Sequence, residues 1–173
     1  TTVTDATGTQ NGTTNATVNS TGKIGKCETF NGSSQAITIA DNASQRLSGA
    51  TVSVSAWIYL TSLPSTLTHA SYIVRNLHSA TPWECVYLYV DTDNKVYFHV
   101  KNSSSVDYEV SSSTTLTTRT WYHVLGVCPG TGQALKLYVN GADVSSGAET
   151  FSGVVYTSNN GWAIGDAYEG AGS

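Results

Sequence analysis

Hydrophobic and polar positions alternate with a period of two along much of the chain, broken by short polar turns. The stretch YLYVDTDNKVYFHVK, Tyr87 to Lys101, shows the pattern most clearly. Two alternating runs flank a turn, the signature of a β-hairpin. Val86, Leu88, Val90, Val96, Phe98 and Val100 fall on one face, and Tyr87, Tyr89, Tyr97 and His99 on the other. Facing Val90 with Val96 sets the register. It pairs Leu88 with Phe98, Val86 with Val100, Tyr89 with Tyr97 and Tyr87 with His99. Segment 51–60 has the same sidedness: Val52, Val54, Ala56, Ile58 and Leu60 share one face, and Ser53, Ser55, Trp57 and Tyr59 the other.

The same reading gives strand candidates at 27–31, 35–40, 51–60, 71–76, 84–91, 95–101, 106–110, 119–128, 134–140 and 162–165. Turn signals separate them at Asn31-Gly32, Asp41-Asn42, Asp91 to Asn94, Pro129-Gly130, Asn140-Gly141 and Asn160-Gly161. Helical periodicity is missing throughout, so almost no helix is expected. Residues 1–25, rich in Thr, Asn and Gly, read as loop or extended edge. Many short strands at this spacing predict an all-β, two-sheet antiparallel β-sandwich or jelly roll. With no repeat and no linker, the 173 residues read as one domain.

Composition agrees. Only 12% of residues are charged while 39% are hydrophobic, and Ser and Thr take the surface positions. The net charge of −4 and the lack of a basic cluster argue against nucleic acid. No apolar run reaches the roughly 18 residues of a membrane span. The chain has no Met and begins TTVTD, so it reads as a mature product or an excised piece. Cys27, Cys85 and Cys128 have no metal-site spacing. They read as buried small hydrophobes, or as one bridge and a leftover thiol.

Several stretches, in order, resemble the concanavalin A-like lectin/glucanase superfamily, and within it the laminin-G-like or pentraxin-like jelly rolls. They are GKIGKCETFNGSSQAITI (Gly22 to Ile39), TVSVSAWIYL (Thr51 to Leu60), TWYHVLGVCPGTGQALKLYVNG (Thr120 to Gly141) and GWAIGD (Gly161 to Asp166). The third is the most specific, similar to the family's W-x-H-V…L-x-L-Y-V-N-G hairpin. The opening motif with its Cys also looks like lectin-like domains of phage virion and tail-associated proteins. The resemblance implies a concanavalin A-like jelly roll. Two terminal strands usual in the family have no counterpart here, which implies an excerpt of a longer chain or a strand supplied by a neighbour.

The outward aromatic face has two readings. Tyr rings can cover a curved sheet beneath a loop. Alternatively they form a platform on which the C–H faces of sugars stack. On the second reading the candidate ligand contacts are Tyr87, Tyr89, Tyr97 and His99 on this face, or rim loops around Trp83 and Trp162. The related glucanases use E-x-D-x-x-E. The nearest match, Asp107-Tyr108-Glu109, lacks the third acid and reads as a solvated strand face, and no nucleophile elbow exists. No enzymatic activity is expected. His123, in the W-x-H-V motif, reads as structural.

Calcium is the candidate cofactor, because family members often hold it near loop tips. Asp166, Glu169, Asp41 and Asn31 are the candidate ligands, with carbonyls completing the shell. Asp91 to Asn94 superficially resembles the start of an EF-hand loop but lacks its Gly and Glu; a hairpin turn accounts for it. Six N-x-[ST] sequons, at Asn11, Asn15, Asn19, Asn31, Asn42 and Asn102, permit a glycosylated surface domain. The expected role is a carbohydrate-binding or adhesion domain on an extracellular or virion surface. Its partners would be glycans or cell-surface polysaccharide. The alternative is a structural domain contacting neighbouring subunits of a virion or fibre.

Overall fold

The computed structural model describes residues 1–19, 21–76, 85–156 and 159–166. In chain order its strands are β1 (Thr2–Val3), β2 (Gly12–Thr14), β3 (Thr17–Asn19), β4 (Cys27–Thr29), β5 (Ile37–Ile39), β6 (Val52–Tyr59), β7 (Ser71–Asn76), β8 (Val86–Val90), β9 (Lys95–Lys101), β10 (Asp107–Thr115), β11 (Trp121–Cys128), β12 (Lys136–Val139), β13 (Ala142–Asp143), β14 (Ser145–Ser146) and β15 (Trp162–Ile164). Among the described residues the helical elements are α1 (Pro64–Leu67) and one 3₁₀ turn at Ala43–Gln45. The fold is an all-β antiparallel sandwich of the jelly-roll kind.

The larger sheet has the order β1-β2-β5-β15-β7-β8-β9-β10-β14, and the smaller one β13-β12-β11-β6; β3 and β4 form a separate ribbon. The hairpin register is the one read from the alternation: Val90 faces Val96, Leu88 faces Phe98 and Tyr89 faces Tyr97. Its aliphatic face is the core. Val86, Leu88, Val90, Val96, Phe98 and Val100 are fully buried, against Val124, Leu135, Leu137 and Phe151. The two sheets pack closely where β9 crosses β11. There Gly126 leaves room for the Phe98 ring, and a Cβ at Gly126 would lie 2.3 Å from two of its atoms. Between β12 and β13, Asn140 and Gly141 both take positive φ, 53° and 83°, as the two central residues of a type I′ hairpin turn require.

Residues 1–25 are more structured than their composition indicates. β2 lies inside the larger sheet between β1 and β5, and Thr14 is buried with its hydroxyl donating to Ala36 O. The driving force there is backbone pairing rather than apolar burial, so hydrophobic patterning cannot reveal it. β10 runs past its expected end through a bulge between Ser111 and Thr115. β6 pairs with β11 on one side, and among the described residues no strand lies on the other. Its inward residues Val52, Val54, Ala56 and Ile58 stay half-buried. Asn102 is buried, its side chain holding the turn after β9, so that sequon is closed to a glycan.

Candidate functional site

The outer face of the larger sheet carries a row of rings. Ladder pairing sets Tyr72 on β7 opposite Tyr89 on β8, and Tyr89 opposite Tyr97 on β9. The three stack across the strands, with centroids 5.4 and 5.2 Å apart and interplanar angles of 16° and 25°. Tyr87 stacks on His99 at 4.1 Å and 21°. Arg75 lies over Tyr72 at 5.4 Å. Such a row spends most ring faces on one another and turns the edges and hydroxyls outward. Tyr97 ends the row. Across the next ladder it faces Ser111, a small residue, so a step lies beside its far side.

Carboxylates hold the hydroxyls. Tyr89 Oη donates to Glu109 Oε2 and Tyr97 Oη to Asp93 Oδ2, both at 3.0 Å. Burial first, and the neighbouring Glu109 next, push the Tyr89 phenol far up; burial and Asp93 push Tyr97 up to about 12. Burial also raises the Glu109 carboxyl above its ordinary range. His99 is 5% exposed. Its Nε2 lies 2.8 Å from Asp107 Oδ1, and its Nδ1 is buried with no partner. Burial lowers its pKa to about 4 against the opposing pull of Asp107, so the imidazole is neutral near pH 7. Asp107 also takes Lys101 Nζ at 2.6 Å. The face therefore carries its carboxylates in pairs with cations, Asp93 with Lys95 and Asp107 with Lys101, while Glu109 and Asp93 hold two of the phenol hydroxyls.

The structure thus brings Tyr87, Tyr89, Tyr97 and His99 together on one face, at different depths. Tyr89 and His99 are buried supports; Tyr87 and Tyr97 remain half-exposed. Trp162 is not on a rim loop. It lies within β15, pairs with Ile39 and Asn76, and packs against the core. Trp83 lies outside the described residues. Tyr72 and Glu109 complete the face and were not among the expected contacts. Alternation within SYIVRN gives a hint of Tyr72, whereas the bulge between Tyr72 and Val74 hides its register.

The expected calcium ligands do not form one shell. Asp41 is paired with Arg46, and Asp166 with Arg75, whose Nε donates at 2.8 Å. Asn31 Oδ1 accepts from the backbone N–H groups of Ser33, Ser34 and Gln35. Antiparallel pairing of β5 with β15 sends Asp41 and Asp166 to opposite ends of that ladder. Glu169 lies outside the described residues. Donors already engaged by guanidinium and backbone groups do not fit a calcium site, and among the described residues no three ligating side chains cluster.

A second aromatic group stands on the outer face of the smaller sheet, where Trp57 faces His123 and Tyr59 faces Trp121. These rings are tilted at 53° and 48° rather than stacked, and Trp57 and Tyr59 are 40% and 43% exposed.

A family model described as Laminin_G_3, Concanavalin A-like lectin/glucanases superfamily, matches residues 31–173. A comparison with curated protein sequences finds no match. Among solved structures, the chain is similar to domain 4 of AbnA, a GH43 extracellular arabinanase from Geobacillus stearothermophilus, in complex with arabinotriose. The TM-score is 0.68 at 22% identity, over 95% of this chain and 78% of that one. It is also similar to the binding domain of Paraclostridial Mosquitocidal Protein 1 (TM-score 0.65, 14% identity, 89% of this chain) and the receptor binding domain of botulinum neurotoxin D (TM-score 0.64, 14% identity, 92% of this chain). The chain spans 43% and 40% of those two toxin chains.

Proposed function

Because the chain belongs to the concanavalin A-like lectin/glucanases superfamily, we propose that it is a non-catalytic carbohydrate-binding domain whose tyrosine face takes a neutral saccharide. The observation that carries this reading is the end of the ring row. Tyr97 has Tyr89 on one side and small Ser111 on the other, with Glu109 and Asp93 at its rim. A sugar ring laid against Tyr97 would stack its C–H face on the phenol and donate its hydroxyls to the carboxylates. The rim's cations Lys95 and Lys101 are each paired with a carboxylate, which leaves no unpaired positive charge there for an anionic sugar and favours neutral ones. The likeness to an arabinanase domain solved with arabinotriose supports this choice of ligand class. A setting outside the cytosol, on an extracellular or virion surface, goes with it.

Asp107-Tyr108-Glu109 lacks the third acid of the glucanase pattern, so no hydrolysis of laminarin-type glucans is expected. A glycan array followed by calorimetry tests the reading. Neutral oligosaccharides should bind, and Tyr97→Ala should weaken them by about tenfold or more, the usual worth of a stacked ring. An array silent for neutral glycans, or hits indifferent to Tyr97→Ala, would refute it.

The edge of β6, which no strand among the described residues pairs, favours a second reading, in which the domain contacts neighbouring subunits of a virion or fibre. Sedimentation across a concentration series tests that: association supports it, and a monomer throughout removes it.

A further inference from the structure

The smaller sheet's outer face holds an open depression of about 410 Å³ lined by Lys23, Trp57, Trp121, His123 and Asn140. We propose that it is a second saccharide site, for a sugar ring bearing a carboxylate. The proposal does not depend on the tyrosine-face reading, because the two sites lie on opposite outer faces of the sandwich.

The lining is one-sided in its chemistry. Asn140 Oδ1 accepts from His123 N at 2.9 Å, and Asn140 N donates to His123 O at 2.8 Å. That pair of bonds fixes the Asn140 amide and leaves its NH₂ group without a described partner. The ring nitrogens of His123 have none either. Lys23 Nζ forms no described ion pair and sits 5.2 Å from the centre of the Trp57 ring. So an ammonium, an amide NH₂ and an imidazole converge beside an exposed indole, and no carboxylate lines the depression. In a protein of net charge −4 this is a local excess of donors. On the tyrosine face, by contrast, Lys95, Lys101 and Arg75 are each paired with a carboxylate.

A flat indole flanked by donors suits a pyranose ring with one apolar face. The lone cation sets the charge of the ligand. In the free protein Lys23 lies over the indole, held by the ring quadrupole. A uronate carboxylate at the rim would draw the ammonium aside and open the ring face to the sugar. The volume suits one or two sugar units.

Calorimetry with tri-galacturonate and the neutral galactose trimer of the same linkage tests this at low and high salt. The acidic trimer should bind about tenfold more tightly than the neutral one, and salt should erode that margin. Lys23→Gln, a change in an exposed loop, should abolish the margin between the acidic and the neutral trimer. Trp57→Ala should weaken tri-galacturonate by about tenfold, and Trp57→Phe should restore part of the loss. Tyr97→Ala should have no effect on tri-galacturonate. The proposal is overturned if tri-galacturonate does not bind, or if its binding survives both Lys23→Gln and Trp57→Ala. It is equally overturned if Tyr97→Ala removes binding, or if poly-glutamate competes as well as the trimer, since charge alone would then suffice.

Discussion

Gly126→Ala is the simplest perturbation that tests how the two sheets face one another. The added Cβ would sit 2.3 Å from Cγ and Cδ2 of Phe98 and 2.9 Å from its Cβ. Those atoms are the root of a ring with no exposed surface, packed among Val86, Leu88, Val124 and Leu137. The ring cannot swing into solvent, so β9 and β11 must separate or Phe98 must leave its rotamer. Overpacking of this kind costs about 1–3 kcal/mol, and contact at the root of the side chain places it in the upper half of that range. For a domain of this size the loss corresponds to a fall in Tm of about 5–10 °C. Urea unfolding followed by circular dichroism should give a lower midpoint with an unchanged slope. Phe98→Ala, which removes Cγ and Cδ2, should be destabilising alone yet partly rescue Gly126→Ala, with a coupling of about 1 kcal/mol or more. Gly132→Ala is the control: it has positive φ and no neighbour within 4 Å, so only backbone strain of about 1 kcal/mol is expected. Wild-type stability for Gly126→Ala, or strict additivity in the cycle, would refute the facing of β9 and β11.

His99 predicts an acid-side loss of stability. Its folded-state pKa is depressed from 6.5 to about 4, chiefly by burial, so the unfolded chain takes up the proton first as the pH falls. Stability from this group is full above pH 6.5 and is lost as pH falls towards about 4, by about 3 kcal/mol at most. His99→Gln should flatten urea midpoints across that window; an unchanged slope would contradict the burial of the ring between Tyr87 and Asp107. Asn102→Ala should cost about 3 kcal/mol, because it strips partners from Ser104 N, Val106 N and Ser152 O at once. Amide exchange at Ser104 and Val106 should accelerate with it, and wild-type exchange would show that those bonds do not hold the turn.

The sandwich was legible because alternation and turn chemistry agree. Val86 to Val100 fixes one face and one register, and Asn140-Gly141 fixes a turn type, each by local rules. What escaped was set by side-chain partners that alternation does not reveal, most of them distant in sequence. His99 reads as an outward residue, as it is, but its burial depends on Tyr87 and Asp107. Asp41 and Asp166 read as loop acids open to a metal, whereas Arg46 and Arg75 engage them, and Arg75 lies far from Asp166 in the chain. Trp162 sits next to a Gly turn and so reads as rim, yet β5 and β7 enclose it. The Trp57 face was half visible: W-x-H puts Trp121 and His123 on one side of β11, and only folding adds Lys23 from a loop far upstream.

The account turns on where a neutral sugar meets this sandwich. Chemical-shift mapping of the aromatic and amide groups, with the strongest neutral oligosaccharide from the array, reads that directly. Shifts should centre on Tyr97, Ser111, Glu109 and Tyr87, with the core valines of β8 and β9 undisturbed. Shifts confined to the smaller sheet or to the loops, with Tyr97 and Ser111 unmoved at saturation, would contradict it.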